Sequence, residues 1–285
     1  MANTIAYQKL LAESLDEVLI ASLKTGAMEA NAAGIKYNGG NKFQFAKMTT
    51  DDIGSYNRAT GYPSGAVTVS YEEKEFKWDW GQSFLIDAMD VDETNFIATA
   101  TEALRVFEKD KVAPKMDLYR LATLASNVPV ANVINTAPTA ANVYSQILTG
   151  LDAVTGETGL DASDFDIYIN HTTNGLLCKS SEIQKVLNIG GSPNSINNKV
   201  VDINGAAVKV IPDSRMKTLD STPKDIRFII AHKDAPIAIV KHQVSNIFSP
   251  DVNQTADGWK INVRIYHTLE VKDNEKVALY ANVSA

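Results

Sequence analysis

Trp259-Lys-Ile-Asn-Val-Arg-Ile-Tyr-His-Thr-Leu-Glu-Val271 alternates apolar and mostly polar residues without a break. A period of two sustained this long is a β-strand with one face buried. At ~3.4 Å per residue it should span about 40 Å, well over the usual strand of ~5–6 residues. It therefore needs an equally long apolar object against its face. His267 falls in phase with that face, so it reads as a packing histidine rather than a ligand. Lys272 to Lys276 form a charged turn, and Val277, Leu279, Ala281 and Val283 alternate after it, which predicts a long hairpin returning alongside the first strand.

The natural partner lies upstream. Asp90-Val-Asp-Glu93 has the acid-x-x-Glu form of a helix-capping box. Beyond it Phe96, Ile97, Ala100, Ala103, Leu104 and Phe107 mark one face of a helix. Pro114 is expected to end or kink it, because proline removes a backbone donor and crowds the preceding turn. Leu118, Leu121, Ala122 and Ala125 then resume the period to about Asn127, the longest helical signal in the chain.

Before that helix the period is again two. Ile35 and Tyr37, then Phe43 and Phe45 after an Asn38-Gly39-Gly40-Asn41 turn, face a return strand with Val67, Val69 and Tyr71 on odd positions. Phe76, Trp78 and Trp80 fall on even ones, a phase slip that predicts a bulge or strong twist. With a long polar tip from Thr49 to Gly65, this reads as a twisted β-hairpin arm. A two-stranded ribbon is marginal alone in water, so it should lie on something else. Residues 5–24 add an amphipathic helix through Tyr7, Leu11, Leu15, Val18, Leu19 and Leu23, capped by Thr4 and closed by Gly26. It must dock on the rest of the chain or on a neighbouring copy.

Residues 128–240 read as an α/β unit. A helix at about 140–155 carries Val143, Ile147, Leu148, Leu151 and Val154, followed by a strand from Phe165 to Ile169. Short helices around Asn174–Lys179 and Glu182–Leu187 and a Gly190–Asn198 loop come next. A hairpin follows, Val200–Ile203 with Ala206–Ile211, joined at Asn204-Gly205, the strongest short hairpin signal. Ile226–Ala231 and Ile237–Lys241 complete the unit. The fold class is α+β.

Composition excludes several functions. The 285 residues are 45% hydrophobic and 21% charged, ordinary globular values. Thirty-four acidic against 27 basic side chains give a net charge of −7, with no basic block to grip phosphates. Cys178 is the only cysteine, so neither an intrachain disulfide nor a thiolate metal cage is expected. No signal peptide and no membrane-length apolar run are read, so a cytosolic compartment is expected.

Catalytic motifs are missing. There is no phosphate-binding glycine loop followed by Lys-Ser/Thr, no Gly-x-Ser-x-Gly and no His-Glu-x-x-His. The four histidines, His171, His232, His242 and His267, lack metal-ligand spacing. Asp87, Asp90, Asp92 and Glu93 form the one dense carboxylate cluster. Hard cations take such oxygens, and an α/β enzyme using these acids is a remote alternative. Acids at a helix start favour its positive dipole end, however, and that is the simpler reading. Phe76, Trp78, Trp80 and Phe84 form either a ligand platform or cross-strand packing, with packing preferred. No catalytic, cofactor-binding or metal-binding residue is expected, and no cofactor.

An outlying helix, a ribbon too long to stand alone and a small α/β unit describe a subunit that buries much of itself in its neighbours. The order of these elements resembles the major capsid protein of tailed bacteriophages with the Hong Kong 97-type fold. So do Tyr37-Asn-Gly-Gly-Asn41, Gly61-Tyr-Pro-Ser-Gly65, Phe84-Leu-Ile-Asp-Ala-Met-Asp-Val-Asp-Glu-Thr94, Pro212-Asp-Ser-Arg-Met-Lys217 and Tyr266-His-Thr-Leu-Glu-Val-Lys-Asp-Asn274, which are similar to capsid proteins of phages of Gram-positive bacteria. The resemblance implies an N-terminal arm over 1–34 and an extended β-hairpin loop over 35–83. It implies a peripheral domain of 84–130 and 245–285, with the spine helix and long β-hairpin, and an axial domain over 131–244. It further implies self-assembly into pentamers and hexamers of an icosahedral head enclosing double-stranded DNA, in the host cytoplasm. The implied partners are a portal protein and a separate scaffolding or head-decoration protein, with no membrane. An encapsulin-type nanocompartment shell is the alternative. Some relatives crosslink a loop lysine to a neighbour's asparagine; Lys42, Lys47, Lys74 and Lys77 lie in the loop without matching that site.

Overall fold

The computed structural model describes residues 23–34, 36–37, 40–93, 100–182, 199–253 and 256–284. The predicted helix over 5–24, except its last two residues, and those at 96–99 and 183–187 lie outside the described residues, as does the whole of the Gly190–Asn198 loop. A 3₁₀ helix, Gly26–Gly34, opens the described chain. Strands β1 (Lys36–Tyr37), β2 (Lys42–Thr50) and β3 (Val67–Glu75) then form an antiparallel ribbon. Strand β4 (Trp78–Asp87) leaves that ribbon for another sheet, so the phase slip at Phe76 marks a change of sheet rather than a bulge.

Helix α1 (Ala88–Glu93) follows, then α2 (Ala100–Phe107), a π turn (Glu108–Val112) and α3 (Ala113–Ser126). From Ala100 to Ser126 the helical path is unbroken. Pro114 neither ends nor breaks it, because it sits in the first turn after the π turn, where a missing N–H costs least. The capping acid at the start of α1 is Asp87, whose Oδ1 accepts the Met89 amide at 2.9 Å, three residues before the predicted box.

Strand β5 (Val133–Ile134), helix α4 (Val143–Thr158), strand β6 (Phe165–Asn170) and helix α5 (His171–Lys179) begin the α/β unit. Strands β7 (Asp202–Ile203), β8 (Ala206–Ile211) and β9 (Ile226–His232) continue it, with Asn204 (φ 53°) and Gly205 (φ 90°) making the two-residue turn that the sequence predicts. Every residue of β6 is buried, as expected of a strand covered on both faces. On one face lie Val143, Ile147, Leu151 and Val154 of α4; on the other lie Tyr119, Leu121 and Leu124 of α3 with Met28.

The last strands depart from expectation. Strand β10 (Pro236–Phe248) runs past the predicted Lys241 and pairs with β11 (Gly258–Val271), which pairs on its other side with β4. Ile261, Val263 and Ile265 of β11 face Ala100, Leu104, Ala113 and Met116, so the long strand has the long helix as its apolar partner. The C-terminal strand β12 (Leu279–Val283) does not return beside β11. It enters the α/β sheet, antiparallel to β9 and parallel to β5, giving the order β5-β12-β9-β6-β8-β7. The predicted hairpin is therefore a crossing between two sheets. Its turn is a 3₁₀ helix, Asp273–Ala278, and the alternation after it reflects burial of Leu279 and Ala281 on the α3 side of the sheet, with Tyr280 on the α4 side.

Candidate assembly surfaces

Among the described residues the ribbon is anchored at its root. Phe43 and Phe45 point to one face of β2 and pack with Phe76 on Ile237 and Ile239 of β10. The Phe43 ring lies 5.4 Å from Phe45 and 4.9 Å from Phe76. Lys42 pairs with Glu73 at 2.5 Å, Lys74 with Glu72 at 2.5 Å, and Lys77 with Glu270 at 2.7 Å. The loop lysines at the root are thus held in ion pairs of the same chain.

Beyond the root the apolar face changes sides. Ala46 pairs with Tyr71, Met48 with Val69 and Thr50 with Val67, and directly opposed residues share a face. That face is the reverse of the one carrying Phe43 and Phe45. Met48 is 67% exposed, Val67 65%, and Val69 and Tyr71 53%. At the tip Ile53, Tyr56 and Tyr62 are also exposed, the two tyrosine rings 5.0 Å apart. The root buries one face, so the same interior cannot cover the stripe on the other.

A second feature holds the N-terminal segment. The Asp117 carboxylate, fully buried on α3, accepts the Lys24 amide (3.1 and 3.2 Å), the Thr25 amide (3.1 Å) and the Thr25 hydroxyl (2.7 Å). Arg215 Nη1 reaches it at 2.7 Å. Arg120, three residues on and equally enclosed, donates to Glu29 Oε1 at 2.6 Å. A buried acid needs such a set of donors to stay charged. Sequence reading missed this pair. Its trace is two charged residues interrupting the apolar period of the long helix.

The other candidates do not converge on a site. Asp87 and Asp90 are exposed; the side chains of Asp92 and Glu93 are outside the described residues. Among the described residues no group of three or more His, Cys, Asp or Glu could hold a metal ion. Cys178 is half-buried on α5. The aromatic group divides: Phe76 belongs to the ribbon root, whereas Trp78 packs on Trp80 (4.2 Å) and Tyr119 (4.4 Å), and Phe84 on Phe107 (4.8 Å). Lys115 Nζ lies 4.0 Å over Trp80, at the edge of a groove of about 690 Å³ between β4 and the helix. His267 is enclosed, and burial first, then the Arg120 charge, push its pKa down to about 3. Among the described residues no helix is long and apolar enough to cross a membrane.

No family model and no curated protein sequence matches the chain. Solved structures do. A chain from a structure of Mycobacterium phage Che8 is 15% identical, with 86% of this chain and 85% of that one covered at a TM-score of 0.63. A chain from the capsid structure of the cyanophage P-SCSP1u is 14% identical, covering 88% and 85% at 0.66. A chain from a virus-like particle of Pyrococcus furiosus is 11% identical, covering 97% and 99% at 0.57. The chain thus shares its fold with phage capsid subunits, as the order of its elements implies.

Proposed function

We propose that this chain is the major capsid protein of a tailed bacteriophage, a structural subunit without catalysis that assembles as pentamers and hexamers into an icosahedral head around double-stranded DNA. The apolar stripe of Met48, Val67, Val69 and Tyr71 carries this reading, because it faces away from the surface that the ribbon's own root buries. An exposed apolar stripe of this kind marks an interaction site. A second copy of the chain is the occupant that repeats the arrangement around a ring.

In this reading residues 1–34 are the N-terminal arm and 35–83 the extended loop over a neighbour. The spine helix and three-stranded sheet form the peripheral domain, and the six-stranded sheet the axial one. Strand pairing supports moving all of β10 to the peripheral side and β12 to the axial side of the division at residues 131 and 245. A net charge of −7 suits a container for DNA loaded by a motor, since a wall that bound the cargo would hinder packing. A portal and a scaffolding or decoration protein are the expected partners, assembly takes place in the host cytoplasm, and the product is the virion.

The near-complete overlap with the Pyrococcus furiosus particle favours a nanocompartment shell as the second reading. The test for assembly replaces residues 47–70 by Asn-Gly, closing Ala46 to Tyr71 as a tight hairpin. Removing 41–80 outright would also take Phe43, Phe45, Phe76 and Trp78 from the core. The expected result is a folded subunit that forms no closed particle in negative-stain micrographs; closed particles would sink the proposal. Nuclease-protected DNA of genome length inside native particles separates a phage head from a protein-filled compartment.

A further inference from the structure

Two legs of unlike chemistry hold the root of the ribbon. Strand β2 supplies the first: Phe43 and Phe45, joined by Phe76, pack on Ile237 and Ile239 of β10. Lys241 adds to it, its Nζ 5.2 Å over the Phe76 ring and 5.5 Å over that of Tyr266. Strand β3 supplies the second from the same face, because Lys74 stands directly opposite Phe43 and Glu72 opposite Phe45. Lys74 pairs with Glu72 at 2.5 Å and reaches Asp273, in the turn after β11, at 3.7 Å. The Asp273 amide donates to Glu72 Oε2 at 3.4 Å. Glu270 lies opposite Ile237 on the sheet below, 4% exposed and held by Lys77 at 2.7 Å.

The legs differ in what lifting them would expose. Raising the first uncovers three enclosed aromatic rings, an unfavourable return of apolar surface to water. The second crosses to the turn through one ion pair and one hydrogen bond, both long. Its charges also keep partners when it lifts. Lys74 and Glu72 travel together on β3, and Asp273 retains Lys276 at 2.7 Å. Glu270 gains water, so no ion is left buried and unpaired.

We propose that this ionic leg opens independently of the apolar one, so that the ribbon tips about Phe43 and Phe45 and turns its exposed stripe of Met48, Val67, Val69 and Tyr71. Lys74 is the catch, since it alone bridges a carboxylate of the ribbon and one of the turn. That turn carries the chain from β11 into β12, so the ribbon's angle is tied to the crossing between the two sheets. Any use of the tipping in assembly rests on the proposed function; the opening itself is a property of one subunit.

Carboxyl footprinting of the full-length protein tests it. Carbodiimide with glycine ethyl ester labels solvent-accessible carboxylates, and peptide mass spectrometry measures the rate at Glu270 relative to exposed Asp152. Lys74→Glu sets a third carboxylate beside Glu72 and Asp273, and labelling of Glu270 is expected to rise at least about tenfold over wild type. Buried Asp117 should stay unlabelled in both. Adding Asp273→Lys to Lys74→Glu is expected to restore protection. Lys42→Glu, a charge reversal on the other face of the root, should leave Glu270 as in wild type. A variant in which Asp117 also labels counts as unfolded, and the neutral Lys74→Met then takes the place of Lys74→Glu with the same expected rise. A folded Lys74 variant that labels Glu270 at the wild-type rate overturns the hinge, as does an equal rise in Lys42→Glu or a double variant that stays open. Particle formation is scored separately, so loss of the shell reading and loss of the hinge are told apart.

Discussion

The backbone amide of Ala113 donates to the carbonyl of Glu108, five residues back, immediately before Pro114. One extra residue in that turn moves the preceding carbonyls off the line that a proline ring would strike. The helix thereby stays continuous for about 40 Å at ~1.5 Å per residue, long enough to cover β11. Its two halves also do different work. Leu104 and Met116 lie on the three-stranded sheet, while Leu121 and Leu124 pack against the six-stranded one.

Because the π turn absorbs the proline, Pro114→Ala should change stability by no more than about 1 kcal/mol. Ala122→Pro, placed where the amide is needed inside α3, should cost about 3 kcal/mol or more. Denaturant melts of dissociated subunits measure both. A large loss from Pro114→Ala would show that the proline shapes the turn rather than being tolerated by it.

Asp117→Ala removes the acceptor of two backbone amides, one hydroxyl and Arg215. Breaking a buried pair by deleting one partner costs about 3–5 kcal/mol, because the remaining charge is stranded. Trypsin should then cut after Lys24 in conditions that leave wild type whole, and Asp117→Asn should fall between the two. Unchanged cleavage would mean that the apolar contacts of Met28 alone hold the segment.

The strand over 259–271, the helix opposite it and the Asn204-Gly205 turn were legible in the sequence, because local periodicity and turn chemistry decide them. Pairing partners were not. Val277 to Val283 alternates equally well beside β11 or inside another sheet, and the packing of Leu279 and Ala281 on the α3 side and of Tyr280 against α4 selects the second. Asp117 and Arg120 were hidden for a related reason. On a helix a charged residue in phase with leucines looks like a defect until the donor from residue 25 is brought to it through tertiary structure.

His267 also gives the isolated subunit a pH dependence. Its ring titrates at about 3 when folded and 6.5 in the reference state, so the unfolded chain binds the proton first. Stability from this group is therefore full above pH 6.5 and falls as pH drops toward 3. At about 1.4 kcal/mol per unit the ceiling is about 5 kcal/mol. Urea melts of His267→Phe should lack this acid-side decline; parallel pH curves for both proteins would contradict the assignment.

Met48→Asp with Val69→Asp tests the stripe without shortening the ribbon. Both residues are exposed in the subunit, so their replacement should shift its melting by no more than about 0.5 kcal/mol. Like charges directly opposed across a strand pair add a small penalty of their own. Assembly should instead be lost, because a neighbour would have to bury two unpaired carboxylates. Sedimentation of freshly purified protein should show small oligomers in place of shells. Shells at wild-type yield would place the partner surface elsewhere on the ribbon.

Gly150 tests how α4 meets β12. A Cβ built there would lie 2.6 Å from Cδ1 of Tyr280 and 3.0 Å from Cδ1 of Ile230. Alanine gains about 1 kcal/mol of helix propensity over glycine, yet overpacking of this kind costs about 1–3 kcal/mol. Gly150→Ala should therefore be neutral to destabilising, whereas Gly150→Ala in a Tyr280→Leu background should be stabilising relative to Tyr280→Leu alone. The double-mutant cycle isolates the clash from the propensity, since only the former depends on the tyrosine ring. If the two backgrounds respond alike, α4 moves freely over the sheet and the close approach at Gly150 is not what fixes β12 in place.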